Sequence, residues 1–199
     1  MNIDTNIQEM IDKAVLAEQE DRENSPRLSA GRLGWSLQWQ MLYYLGVKPS
    51  TPDAYTLRKF QRGKDVEDRI VSWVNPEQKQ VEVDYRGVKG FCDMVMDVPV
   101  EVKSVTNMAF KYIQKEGVKR GHRLQAELYA VGLGFDEFNV CYVASDDYRV
   151  LTFRQKVSGE VDKIIDLFEK QVEDGGVPVF KAEEPWHSIK KYSVYPIGS

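Results

Sequence analysis

Apolar residues recur along this chain with two different periods, and the change between them divides it into elements. Residues 2–23 read as a polar, acidic helix that ends near Asn24-Ser25-Pro26. Ser29 is placed to cap a second helix running to about Leu45, where Gly46 and Pro49 stop it. Asp53 opens a third, ending near Val74 before Asn75-Pro76, with Phe60, Gly63, Glu67, Val71 and Val74 on one stripe at helical spacing. The period then shortens. Alternation predicts strands near 79–86, 88–96 and 98–104, with Arg86-Gly87 and Met96-Asp97 at the turns. Helical spacing returns near 108–116, ending at Gly117, and over roughly 120–133, ending at Gly132 or Gly134. Two more strands follow near 138–145 and 148–154, hinged at Asp146-Asp147. A last amphipathic helix covers about 158–173 and stops at Gly175-Gly176. From Val177 onward no period is visible. The order predicts an α/β protein with a central mixed sheet flanked by helices, in αβββαβ order, behind an N-terminal helical extension. The expected division is an acidic helix over 1–24, one domain over 25–175, and a tail over 176–199 packing on it.

Composition narrows the setting. The chain has 199 residues, 42% of them hydrophobic, and a net charge of −4, which suits one soluble domain with a packed core. No apolar run approaches a membrane span. Met1-Asn2-Ile3-Asp4-Thr5 lacks the basic start and apolar core of a secretion signal. Cys92 and Cys141 both sit in apolar strand patterns, as reduced core thiols would in a cytoplasmic protein. Two cysteines and two distant histidines make neither a zinc site nor a four-cysteine iron–sulfur cluster.

The charge is unevenly spread. Residues 1–23 carry seven acids against two bases, and residues 136–174 ten acids against five bases. Residues 27–69 carry eight bases against four acids, and residues 102–135 six bases against two acids. The basic blocks flank the middle of the chain, as a phosphate-bearing polymer would require; chance unevenness of a solvated surface explains the pattern equally well.

Between those blocks lies Gly90-Phe91-Cys92-Asp93-Met94-Val95-Met96-Asp97-Val98-Pro99-Val100-Glu101-Val102-Lys103. Strand side chains alternate, so Glu101 and Lys103 share one face while valines 98, 100 and 102 take the other. Asp93 stands on the preceding strand. Three charges in a valine-rich setting cost desolvation energy unless they are put to use, and their oxygens suit Mg²⁺ or Mn²⁺ with a bound water. The alternative is an edge-strand ion pair. Glu77-Gln78-Lys79 repeats the Glu-x-Lys spacing but reads as a polar turn with no acid a hairpin away. Glu67 adds a carboxylate to an apolar helix face, where burial without a partner would raise its pKa. It needs a metal, a metal-bound water or an arginine, or else a marginal salt bridge to Arg58 or Lys59. Gln125 and Tyr129 stand four apart on a later helix, with His122 three before Gln125 on the same face. They can orient a phosphate, a base or the lysine; taken alone, Tyr129 reads as core and Gln125 as solvated.

In this order, Glu67 on a helix, Gly90-x-x-Asp93, Glu101-x-Lys103 and Gln125-x-x-x-Tyr129 resemble the PD-(D/E)XK nuclease superfamily over about residues 25–155. More narrowly they resemble its RecB-like exonuclease branch, which includes nucleases of the CRISPR adaptation machinery and phage recombination exonucleases. Ser29-Ala30-Gly31-Arg32 with Tyr43-Tyr44 is similar to that branch's entry helix. Two departures stand out. Many members carry a histidine where this chain has Glu67, and several carry four cluster-binding cysteines, absent from Trp186-His187-Ser188-Ile189-Lys190-Lys191-Tyr192 and the rest of the chain.

The resemblance implies a restriction-endonuclease-like core and a metal-dependent DNA exonuclease of phage or bacterial recombination, repair or processing. One or two Mg²⁺ or Mn²⁺ ions would be held by Asp93, Glu101, the Val102 carbonyl and Glu67. Lys103 would orient the attacking water and offset charge, and Gln125 and Tyr129 would position the strand. Linear single- or double-stranded DNA would be the partner, with a recombination or single-strand-binding protein as a further one. Backbone contacts are expected from Arg32, Arg62, Lys111, Lys115, Lys119, Arg120 and Arg123, and Arg27 is a further candidate. Trp35 and Trp39 could stack bases, although packing on the core is favoured two to one. The competing readings are an endonuclease of the same superfamily and a catalytically silent nucleic-acid-binding member.

Overall fold

The computed structural model describes residues 6–18, 27–47 and 51–178. The predicted helix end at Asn24-Ser25-Pro26 and most of the 176–199 tail, with Trp186 to Tyr192, lie outside the described residues. The elements are α1 (Asn6–Ala17), a 3-10 turn (Ala30–Arg32), α2 (Leu37–Tyr44), α3 (Ala54–Val74), β1 (Gln78–Tyr85), β2 (Val88–Val95) and β3 (Pro99–Val105). They continue with α4 (Asn107–Glu116), α5 (Arg120–Leu133), β4 (Glu137–Ala144), β5 (Val150–Lys156) and α6 (Glu160–Asp174). The five strands form one sheet in the order β1-β2-β3-β4-β5. Only β3 and β4 run parallel, joined by the α4–α5 crossover; the other neighbours are antiparallel. This is the mixed sheet flanked by helices that the alternating periods predict. Among the described residues, no helix is long and apolar enough to cross a membrane.

Local chemistry explains most boundaries. The β1–β2 hairpin turns on two residues, Arg86 (φ 51°) and Gly87 (φ 77°), both left-handed, because Tyr85 pairs directly with Val88. That is the backbone twist two-residue hairpins favour. Asp53 caps α3 by accepting from Thr56 N at 2.8 Å, and Gly134 ends α5 in the left-handed conformation. Gly132 is therefore not the stop. It lies inside α5 with its missing side chain pressed on Val83.

The single helix expected over 29–45 is instead a 3-10 turn, a break, and α2. A Cβ on Gly34 would come within 2.7 Å of the Gly121 Cα, so the chain bends there to pass over the start of α5. Ser36, not Ser29, is the cap, accepting from Trp39 N at 3.3 Å. The α3 stripe also differs. Val66, Ile70 and Val71 are its buried residues, while Phe60 is 63% and Val74 44% exposed. Lys79 belongs to β1, not to a turn, but Glu77 and Lys79 are both exposed.

Alternation along β4 assigns the faces. Cys141 and Val143 pack with Val66, Ile70 and Val71 of α3, and with Val100 and Val102. Val140 and Tyr142 pack with Phe110 and Ile113 of α4 and Ala126 and Ala130 of α5. Glu101 and Lys103 lie in register with Val140 and Tyr142, so they share the α4–α5 face. Leu124, Leu128 and Tyr129 extend that layer onto Val83, Val88 and Cys92, and α6 closes it with Val161, Ile165 and Phe168. Both cysteines are free and buried, as expected for core thiols, and burial pushes Cys92 up to about 12.

The β2–β3 junction positions the site. These strands pair only beside their turn, at Met94↔Val100 and Val95↔Pro99. Beyond Val100 they splay apart, while β3 keeps its ladder with β4 through Val105. In a strand, alternate residues point their backbone groups to opposite edges. The splay therefore leaves the β2-side backbone groups of Val102 and Ser104 without a strand partner.

Candidate active site

The carboxylates of Asp93 and Glu67 take those vacated positions. Val102 N donates to Asp93 Oδ2 at 2.8 Å, and Ser104 N donates to Glu67 Oε1 at 3.2 Å. Asp93 comes from β2, across the gap. Glu67 comes from α3, on the opposite face of the sheet from Glu101. The splay is thus an opening through which groups from both faces and from β2 meet along one strand edge. By strand geometry the Val102 carbonyl leaves β3 at the same edge. Gln80, which sequence reasoning missed, adds a bond from its amide to Asp93 Oδ1 at 3.3 Å. Its left-handed φ of 49°, opposite Asp93, was not legible as a site feature.

Glu101 is the anomaly. It is 1% exposed, and among the described residues its Oε2 accepts no hydrogen bond. Its partner is Lys103, whose ammonium lies against Oε1 as an ion pair. A buried charge with unfilled acceptor positions costs several kcal/mol, roughly, unless something supplies them. Burial pushes Glu101 up to about 8; Lys103 pulls it back down, while the charges of Asp93 and Glu67 add to the rise. Burial likewise raises Asp93 and Glu67, the bond from Val102 and the charge of Lys103 opposing it respectively. For Lys103 burial acts downward as the largest single cause, but the carboxylates of Glu101, Glu67 and Asp93 together outweigh it and the net direction is up.

The α5 face completes the surroundings. Gln125 donates to Tyr129 Oη at 3.0 Å, so the two predicted residues do meet. Tyr129 is 2% exposed; burial raises its pKa, with the charge of Glu101 adding to the rise. Gly90 makes this packing possible. A Cβ there would lie 2.7 Å from both Tyr129 Oη and Ala30 Cβ. Gly90→Ala is therefore expected to cost about 1–3 kcal/mol through overpacking and to move Tyr129 off Gln125. Denaturant unfolding alongside a cleavage assay checks this, and both stability and rate should fall.

The remaining predicted contacts divide. Arg27, Arg62, Lys111, Lys115 and Lys119 are exposed. Arg32 is half-buried, bonded to Ser29 Oγ at 2.6 Å and lying 3.6 Å over the Tyr43 ring. Arg120 and Arg123, expected on the backbone of a nucleic acid, are engaged within the fold. Arg120 pairs with Glu160, and Arg123 bonds Glu127 at 2.8 Å, Ser158 at 3.1 Å and Glu160. Arg123's anchor is Glu127, 0% exposed, which also accepts from Ser158 N and Oγ at 2.9 Å each. Sequence reasoning missed Glu127, since a glutamate in an amphipathic helix reads as solvated and its main-chain partner lies 31 residues on. Trp35 and Trp39 meet edge to face at 6.0 Å and pack beside Leu42 and Tyr43, which follows the packing expectation.

Three carboxylates and a backbone carbonyl form an oxygen-only donor set suited to a hard divalent cation, with the lysine beside it. Glu101's unfilled, buried Oε2 fits such an ion. As placed, though, no three His, Cys, Asp or Glu side chains among the described residues are arranged around a metal position. Asp93 and Glu67 face backbone amides and Glu101 faces Lys103. The donor set fits a cation; the carboxylates occupy their alternative partners.

No protein-family model matches this chain, and no curated protein matches it. Solved structures do. An alkaline exonuclease, LHK-Exo, from Laribacter hongkongensis aligns with a TM-score of 0.55 at 15% identity, over 83% of this chain and 93% of that one. The same exonuclease in complex with dAMP aligns with a TM-score of 0.56 at 15% identity and the same coverage. SSO0001 aligns with a TM-score of 0.51 at 17% identity, over 94% of this chain and 93% of that one. At these identities the likeness establishes the fold. The chain is α/β with a restriction-endonuclease-like core, a five-stranded mixed sheet flanked by helices.

Proposed function

We propose that this chain is a divalent-metal-dependent deoxyribonuclease that hydrolyses phosphodiester bonds from DNA ends. The observation that carries the reading is Glu101, a fully buried carboxylate with Oε1 on the Lys103 ammonium and Oε2 without a donor among the described residues, flanked by two more carboxylates on one strand edge. Asp93, Glu101 and the Val102 carbonyl would hold Mg²⁺ or Mn²⁺, with Glu67 completing the shell directly or through water. When bound, the ion supplies Lewis-acid polarisation of the phosphate and a lowered pKa for a coordinated water. The residues themselves do the rest. Lys103, close to Glu101, orients the attacking water and offsets negative charge that grows on the phosphoryl oxygens. Gln125 and Tyr129, tied to each other, form one wall of the site and position the strand. Arg62, Lys111, Lys115 and Lys119, all exposed, are the backbone contacts that support this reading best.

The exonuclease reading draws on the shared fold with LHK-Exo and on the binding of dAMP by that protein. A time course on end-labelled DNA, linear and circular, with Mg²⁺, Mn²⁺ or EDTA tests it. Metal-dependent loss of linear DNA with circles spared is expected. Cutting of circles would make the enzyme an endonuclease, and no cleavage with either metal would sink the reading.

A further inference from the structure

His122 has no role in the mechanism above, yet it lies on the same α5 face as Gln125 and Tyr129. Its Nδ1 is 3.0 Å from Tyr142 Oη. Tyr142 is 0% exposed and also accepts a bond from Lys119 N at 3.0 Å. The amide can only donate, so it fills one lone pair of the phenol. The phenolic proton then needs an acceptor, and within this buried contact set His122 Nδ1 is the one present. Nδ1 must therefore be unprotonated, which puts the ring proton on Nε2. Among the described residues, that nitrogen makes no hydrogen bond. The residue is half-buried, not sealed in the core. The ring is held neutral as well: burial presses its pKa down to about 3, with the charges of Lys103 and Lys119 adding to the fall.

From this geometry we infer that His122 is a fixed-tautomer phosphate-binding residue, presenting Nε2–H to a non-bridging oxygen of the phosphodiester beside Lys103. The inference rests on the nuclease reading for the identity of its ligand. Tyr142 and the Lys119 amide act as positioning groups, since they choose the tautomer without touching the substrate. A neutral donor next to a lysine is a useful pairing here. It adds a directed bond to a phosphate oxygen without a second positive charge that would weaken cation binding.

The test uses the wild-type protein, so it does not depend on a variant that folds. The chain contains two histidines, His122 and His187, and His187→Gln assigns their signals. Nitrogen-15 histidine spectra are recorded in EDTA, where no cleavage occurs, with short oligo-dT and with an uncharged methylphosphonate oligomer of the same length. The expected result is His122 as the Nε2–H tautomer, with its Nε2 signal moved by the phosphodiester and unmoved by the methylphosphonate. An Nδ1–H tautomer, or no movement with either oligomer, overturns the proposal. So does equal movement with both, which would mean simple proximity. In turnover, Tyr142→Phe should bring in the second tautomer and lower kcat by about tenfold, as expected for one lost bond to a charged group. Its KM should change little; an unchanged kcat with mixed tautomers also overturns the proposal. The two readings fail separately. Cleavage with an unresponsive His122 refutes this inference alone, whereas a responsive His122 without cleavage under any metal upholds the phosphate contact and refutes the nuclease.

Discussion

Glu101→Gln is expected to abolish metal-dependent cleavage and, at the same time, to remove most of the pH dependence of stability. Glu101 has a folded-state pKa of about 8 against an ordinary 4.5, with burial as the main cause. Between those values the folded state keeps a proton that the unfolded state has released. Stability therefore falls as pH rises from about 4.5 to about 8. At about 1.4 kcal/mol per pKa unit, the loss is on the order of 4 kcal/mol. Glutamine cannot ionise, so the variant should show a nearly flat profile over that window. Mg²⁺ works in the opposite direction, because it binds the ionised carboxylate. It should raise the wild-type Tm more at pH 8 than at pH 6 and leave the variant almost unmoved. Thermal melts at both pH values, with and without Mg²⁺, check all of this. A variant that keeps the wild-type slope would show that the proton sits elsewhere.

Lys103→Ala should reduce cleavage by about a hundred- to a thousandfold, the scale for removing a preorganised donor from a site of developing negative charge. The variant should still fold, because the Lys103 side chain is 22% exposed and anchors no core cluster. It should also raise the pKa of Glu101, whose principal favourable charge is lost. Cation binding should then weaken most at neutral pH and recover as pH rises. Calorimetric Mn²⁺ titrations at pH 7 and pH 9 separate this from a general loss of affinity. Wild-type cleavage by purified, folded Lys103→Ala protein would remove Lys103 from the mechanism.

The parts of this protein that were legible in the sequence are those fixed by short-range patterning. Alternation placed Asp93, Glu101 and Lys103 on neighbouring strands and put Glu101 and Lys103 on one face. Helical spacing put Gln125 over Tyr129, which the 3.0 Å bond bears out. Arg86-Gly87 marked a two-residue turn. What escaped depended on contacts between distant segments. The break at Gly34 exists because Gly121, 87 positions later, passes beneath it. Arg123 read as a free cation because Glu160 and Ser158 lie beyond any local window. The α3 stripe was drawn through Phe60 and Val74, although Val66 and Ile70 offered an equally periodic apolar line. Periodicity alone could not tell which of the two lines meets the sheet.

The short pairing between β2 and β3 has a mechanical consequence. Two register pairs beside the turn act as a pivot, and the β1–β2 hairpin is otherwise carried by its packing, with α5 meeting it at Gly90 on Tyr129 and Gly132 on Val83 and α6 holding its tip through Tyr85 and Arg86. Asp93 rides on the hairpin; Glu101 rides on the β3–β4–β5 block. The width of the jaw between the two acids is thus set less by strand ladders than by how the helices pack on the hairpin. Adding bulk at Gly132, where a Cβ would press on Val83, is expected to tilt the hairpin and alter the gap at Asp93 without touching an acid. Calibre and chemistry in this protein are separable properties, controlled from opposite ends of one hairpin.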